Sequence, residues 1–277
     1  MKTKLTLAIC FLIIMTSCNQ LKKNYKAERA AEIARYGNTF SGVFAEEDIA
    51  PLPVPVQRYF RVCGFIGREK MSNVQTSWKN VYLKRDVGAK WMPISCYQFN
   101  SVAEPMRLAY MKGRFFGLLP LEGRDIYQDG QGNMLIKLAG FLKVADANGL
   151  AMNESSLVTT LAEVFLAPTY ALQPYITWQP IDDFTAAATI SHKGVSVSGT
   201  FHFNTEGFLE RFVSDDRNMI DDNGEAYKVR WTATASHYFK QEDGIIIPGF
   251  FSGAWELESG PFEYFKGEIV SLEYDVR

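Results

Sequence analysis

Most of this chain follows a two-residue apolar rhythm, broken by residues that suit tight turns. That pattern restricts the fold more than any other feature. In Val195–Asn204 the odd positions are Val195, Val197, Gly199, Phe201 and Phe203, and the even ones Ser196, Ser198, Thr200, His202 and Asn204. Successive side chains of a strand point to opposite faces, so this segment has one dry face and one wet face. Val229–Lys240 repeats the scheme, with Val229, Trp231, Ala233, Ala235, His237 and Phe239 on the apolar side. Strands are expected near 71–85, 90–101, 106–112, 117–128, 132–145, 176–191, 194–204, 207–217, 226–240, 244–257 and 262–276. Asp129-Gly130, Lys193-Gly194, Asp222-Asn-Gly224 and Asp243-Gly244 are turn signals between many of them. Links this short join antiparallel neighbours and leave no room for the helical crossovers of a parallel sheet.

Helices are few. Pro51, Pro53 and Pro55 break the chain, and Val56–Cys63 then reads as a short helix with Pro55 in its first turn and Gly64 past its end. Asn153 is placed to cap a helix over Glu154–Ala167, with Leu157, Leu161, Val164 and Phe165 at helical spacing and Pro168 as its stop. Ala27–Tyr36 suits a short helix after a polar tether, Asn19–Lys26. No repeat or mid-chain linker interrupts the remainder, so residues 45–277 read as one domain. The expected fold is mainly β: a single large curved antiparallel sheet, a half-barrel, covered by a few short helices.

The first residues carry an address. Lys2 and Lys4 precede the eleven-residue apolar run Leu5–Met15, and Thr16-Ser17-Cys18 follows. A membrane-spanning helix needs roughly 20 apolar residues, so the run reads as the core of a secretory signal covering 1–17. Met15-Thr16-Ser17-Cys18 resembles a bacterial lipobox, which makes Cys18 the lipid anchor and 18–44 a lipidated tether with its helix. Several acyl chains on one Cys hold a protein firmly on a membrane. Asn19 after the Cys, with no acidic run, favours the periplasmic face of the outer membrane. An oxidising compartment permits a Cys63–Cys96 disulfide, but two separate buried thiols, behaving as small hydrophobes, are the favoured reading.

The composition is globular, with 47% hydrophobic and 22% charged residues, and the formal charge of −2 offers no basic excess for nucleic acid. Three His residues without His-Glu-x-x-His or Cys-x-x-Cys spacing argue against a metal site. Gly130-Gln-Gly132 lacks the third Gly of a nucleotide loop, and no cofactor is expected. The functional argument rests on the sheet's inner face, where Ala186, Ala188, Gly199, Ala233 and Ala235 are small and leave room under a cover. A lipid or other apolar ligand held there would meet Trp231, Ala233, Phe201, Val197 and His237, with Glu163 as a polar group at the cavity mouth. Arg58, Arg124 and Arg211 are candidate partners for Glu163. The alternatives are an envelope structural or assembly protein with no ligand, and a hydrolase using Glu163 or Asp125 with His237. An enzyme is the less favoured reading.

Several blocks resemble a family of bacterial proteins known as a domain of unknown function. They are Leu52–Phe60, including Arg58 and Tyr59; Gly123–Met134, including Asp125, Tyr127, Gly130 and Gly132; Leu161-Ala-Glu163; and Trp231, Pro248 and Trp255. Phe165 stands where that family carries Trp. The resemblance spans about Pro51 to Tyr274 and brings no activity with it. At fold level it implies similarity to the LolA-like periplasmic carriers of lipids and lipoproteins, and so a lipid or lipoprotein partner.

Overall fold

The structure, a computed structural model, describes residues 20–220 and 225–277. Four α-helices are present among them: α1 (Gln20–Tyr36), α2 (Glu46–Ile49), α3 (Val54–Val62) and α4 (Leu150–Ala162). The first six strands are β1 (Asn73–Leu83), β2 (Met92–Ser101), β3 (Met106–Phe115), β4 (Leu119–Gln128), β5 (Gln131–Leu138) and β6 (Leu142–Ala147). After α4 come β7 (Ile176–Asp182), β8 (Thr185–His192), β9 (Val195–Phe203), β10 (Leu209–Ser214), β11 (Asn218–Ile220) and β12 (Ala226–Lys228). The remainder are β13 (Trp231–Ser236), β14 (Phe239–Lys240), β15 (Ile246–Ile247), β16 (Phe250–Leu257) and β17 (Gly260–Tyr274). Cys18 and the signal segment lie outside the described residues.

Thirteen strands form one open antiparallel sheet in the order β6-β5-β4-β3-β2-β1-β17-β16-β13-β10-β9-β8-β7. The sequence expectation of a large antiparallel sheet with few helices holds. The chain enters at the centre with β1, meanders out to the β6 edge, crosses to the β7 edge through α4, and meanders back until β17 pairs with β1. β11 with β12 and β14 with β15 form two small ribbons beside the sheet.

α4 explains the curl. Ser155, Ser156, Leu157, Val158, Thr160, Leu161 and Ala162 are all buried, so the helix is enclosed on every side. The two halves of the sheet wrap it. Tyr127 on β4 meets His192 on β8 at 2.9 Å, although β4 and β8 belong to opposite halves. Gly132 makes the close approach possible on one side: a Cβ there would lie 2.5 Å from Ser156 Oγ of α4. Thr159 and Thr160 return their hydroxyls to the carbonyls of Ser155 and Ser156, both at 3.0 Å, which keeps polar groups paired inside the roll. On the outer face α1 covers β2–β4, with Leu21 and Tyr25 packed against Phe99, Leu108 and Tyr110.

Several expectations are corrected. α1 starts at Gln20, so the polar stretch to Lys26 is helix docked on the sheet, fixed by Leu21 and Tyr25. α4 begins at Leu150. Asn153 lies inside it, and its side chain accepts from the Gly132 amide of β5 at 2.8 Å instead of capping the helix. Helical geometry stops at Ala162, and two 3-10 turns, Val164–Leu166 and Pro168–Leu172, carry the chain onward. The 132–145 stretch splits at Ala139 and Gly140, which both have positive φ, and 176–191 splits before Thr185. The 226–240 stretch breaks at His237, whose φ of 56° ends the alternation. Cys63 and Cys96 are both free thiols, which agrees with the favoured reading and excludes the disulfide.

Candidate functional site

The strand registers align concave-face residues of β1–β6 into transverse rows. Nearest the end of α4 are Val74, Asn100, Arg107, Tyr127 and Gly132, then Thr76, Gln98, Ala109, Asp125 and Met134. The next row is Cys96, Met111, Gly123, Ile136 and Ala145, followed by Val81, Ile94, Gly113, Leu121, Leu138 and Leu142. The polar side chains of Asn100, Arg107, Tyr127, Thr76, Gln98 and Asp125 dominate the first two rows, and the outer two carry no charged or amide side chain.

The inner rows hold a closed charged cluster. Glu163, at the C-terminal end of α4, accepts from Arg107 Nε at 3.0 Å and 2.9 Å, from Gln98 Nε2 at 2.7 Å and from Asn100 Nδ2 at 3.1 Å. Arg107 Nη1 reaches Asp125 Oδ2 at 2.6 Å. The side chains of Arg107, Glu163 and Asp125 are 13%, 12% and 17% exposed. Burial pulls the Arg107 guanidinium down, but the two carboxylates outweigh it and hold it above its ordinary value. Burial pushes the neighbouring Cys96 thiol up to about 12, so it is a protonated, weakly reactive group. Every strong donor here is engaged by a carboxylate. The cluster is suited to fastening α4 to β2–β4 and to giving the concave face a polar inner limit.

The outer rows are different. Cys96, Met111, Ile136, Ile94, Leu121 and Leu138 are half-buried although they face the helix side of the sheet. The floor continues across the centre through Gly267, whose missing side chain leaves room for Trp78 and Val81, to Phe251 and Ala235. Apolar surface left accessible in a concavity is the usual mark of a binding surface.

The predicted residues separate into groups. Glu163 and Asp125 meet through Arg107, which was not among the candidate partners; Arg58 instead donates to the Asp183 carbonyl at 3.4 Å, and Arg124 pairs with Glu28 on α1. Phe201 is fully buried, 5.4, 5.3 and 4.7 Å from the rings of Phe165, Trp178 and Phe212. Val197 shares that core, as does Tyr59, whose ring lies 4.5 Å from Phe165. The room expected at Gly199 is taken by the Phe212 ring, which a Cβ there would strike. Trp231 and Ala233 are buried, with the Arg217 guanidinium 4.4 Å from the Trp231 ring centroid. His237 was expected on the apolar face. Its positive φ turns it outward, where it is exposed and bonds Ser236 Oγ at 2.9 Å. Gly130 has φ of 82° in the β4–β5 turn.

Sequence reading missed the clasp between the sheet halves. Tyr127 Oη meets His192 Nδ1 at 2.9 Å, and His192 Nε2 meets Glu104 Oε2 at 2.7 Å. Burial, then Glu104, push the Tyr127 hydroxyl above its usual range. The three residues lie on separate segments, and only the curl of the sheet joins them. Two outer clefts are also present: one of about 750 Å³ beside Arg124, Asn133 and Asn153, and one of about 610 Å³ beside Lys70, Leu172 and Trp178.

The blocks at Leu52–Phe60 and Gly123–Met134 now have structural roles: α3 packs in the core, and the second block forms β4, its turn and β5. A family model matches residues 42–267. The chain belongs to the family of unknown function DUF6544. No curated protein matches it. Among solved structures it is similar to a domain from Vibrio parahaemolyticus assigned to outer membrane lipoprotein sorting. That pair has 9% identity and a TM-score of 0.41, over 73% of this chain and 85% of that one. It is also similar to a DUF1329 family protein from Desulfovibrio piger, at 10% identity and a TM-score of 0.41, over 81% of this chain and 94% of that one. Likeness at that level says nothing about what the chain binds.

Proposed function

We propose that the chain is a lipoprotein, anchored through Cys18 on the periplasmic side of the outer membrane, that holds the apolar part of a lipid or lipidated partner on its concave face. The observation that carries this reading is the pair of half-buried apolar rows through Met111–Ile136 and Ile94–Leu138. The floor formed by Ala235 and Ala233 is their inner continuation, and Glu163 with Arg107 is their polar limit. An acyl chain laid along these rows would remove apolar surface from water on both partners, at roughly 25 cal/mol per Å². The anchor rests on the Ser17-Cys18 motif. Among the described residues no helix is long and apolar enough to cross a membrane.

A second reading, a scaffold with no ligand, is favoured by the β7–β10 half, where Phe212 fills the space over Gly199. Titration with a fluorescent fatty acid separates the two. At Gly123 a Cβ would meet only the Met111 side chain, at 3.4 and 3.7 Å, so Gly123→Leu adds bulk over the apolar rows. The variant should weaken fatty-acid binding about tenfold, ~1.4 kcal/mol, with an unchanged melting temperature. Absence of binding by the native chain, or equal binding by both, overturns the ligand reading.

A further inference from the structure

The end of the sheet at which β1–β2, β3–β4 and β5–β6 turn is unlike the rest of the surface. Phe116, Leu118 and Phe141, at the tips of two neighbouring turns, are 85%, 76% and 61% exposed. Leu119, Leu142 and Val144 are also exposed beside them. The turns are tied together, the Ala139 amide donating to the Pro120 carbonyl at 2.7 Å, so they form one apolar prominence. An exposed patch of large apolar side chains needs a partner.

Charge identifies the partner. Residues 84–92, 111–121 and 137–144 carry seven Lys or Arg, of which Arg85 pairs with Asp86 and Lys143 with Asp146 just beyond, which leaves five cations in these segments without an ion-pair partner among the described residues, in a chain of formal charge −2. Lys90, Lys112, Arg114 and Lys137 are among these cations. Aromatic and aliphatic tips with cations behind them match a bilayer interface bearing anionic headgroups, where apolar groups enter the acyl boundary and Lys or Arg meet phosphates.

The direction of α1 is an independent argument. Tyr25 lies against Tyr110 at 6.2 Å, whereas Arg35 pairs with Asp129 in the β4–β5 turn, at the opposite end of the sheet. The first residue of α1 therefore points toward the apolar tips. Helical rise carries Gln20 roughly 8 Å tipward of Tyr25, and the strand from Tyr110 to Phe115 spans roughly 17 Å. Gln20 thus lies toward the same end of the sheet as Phe116 and Phe141.

We propose that the β3–β4 and β5–β6 turns dock on an anionic lipid surface, with Phe116, Leu118 and Phe141 inserted and the flanking cations on headgroups. This does not depend on the concave face holding a ligand. The test uses the full chain reconstituted in vesicles whose acyl chains are brominated, with Phe116→Trp as reporter. Ile181→Trp, at an exposed site on β7, is the control. Bromine quenches a tryptophan only within the bilayer. The added signal at position 116 should be blue-shifted and quenched at least twofold in phosphatidylglycerol vesicles, and less in phosphatidylcholine, while position 181 stays unquenched. Equal signals at 116 and 181 in phosphatidylglycerol would overturn docking. So would a stable dimer in solution that Phe116→Asp dissociates, since the prominence would then be a contact between two copies.

Discussion

Replacing Arg107 by Met tests the charged cluster most severely. The native guanidinium bonds Glu163 through Nε at 2.9 Å and Asp125 through Nη1 at 2.6 Å, and all three side chains are less than a fifth exposed. Met fills similar volume but leaves two carboxylates facing each other with only Gln98 and Asn100 to solvate Glu163. Removing one partner of a buried ion pair costs about 3–5 kcal/mol, and the residual exposure here favours the lower end, about 3 kcal/mol. For a domain of this size that lowers the melting temperature by about 6–12 °C, readable by calorimetry. Adding Glu163→Gln and Asp125→Asn to Arg107→Met should recover most of the loss, because no buried charge remains. A single variant that melts within about 2 °C of native at pH 7 would refute the cluster as a fastening of α4 to the sheet.

Two further outcomes follow from the packing. Gly132→Ala places a Cβ against the Met152 carbonyl and Ser156 Oγ, so it should destabilise the fold by about 1–3 kcal/mol in chemical denaturation, and an unchanged midpoint would count against the helix contact. Burial raises the Glu32 carboxyl above its ordinary value, so its ionised form costs stability once the pH exceeds the unfolded value. Glu32→Gln should therefore raise the melting temperature at pH 7 and lose that gain as the pH falls below about 4. A gain independent of pH would show that the amide acts by something other than removing charge.

The apolar rhythm was a sound guide where one strand face is dry and the other wet. In Val195–Phe203 the five odd residues are buried as the alternation requires. It misled where the inward face is itself polar. Gln98, Asn100, Arg107 and Asp125 look like a solvent face along their own strands, and only the wrapping of β2–β4 around α4 encloses them. The partner of Glu163 was hidden for the same reason: Arg107 is 56 residues away, brought in by strand order rather than by helical spacing. Small residues suggest vacancy in a sequence, yet the β10 ring of Phe212 occupies the space over Gly199, a cross-strand contact that no local pattern reveals. The half-buried rows through Ile94 and Met111 became visible only once the registers of β1–β6 were set side by side.

Native mass spectrometry of the full chain extracted from its own membranes tests the central claim most directly. The account predicts a non-covalent adduct of lipid mass that collisional activation strips away, distinct from any mass fixed at Cys18, and less abundant in Gly123→Leu. Native chain free of any such adduct, under conditions that keep it folded, would contradict a lipid-holding concave face.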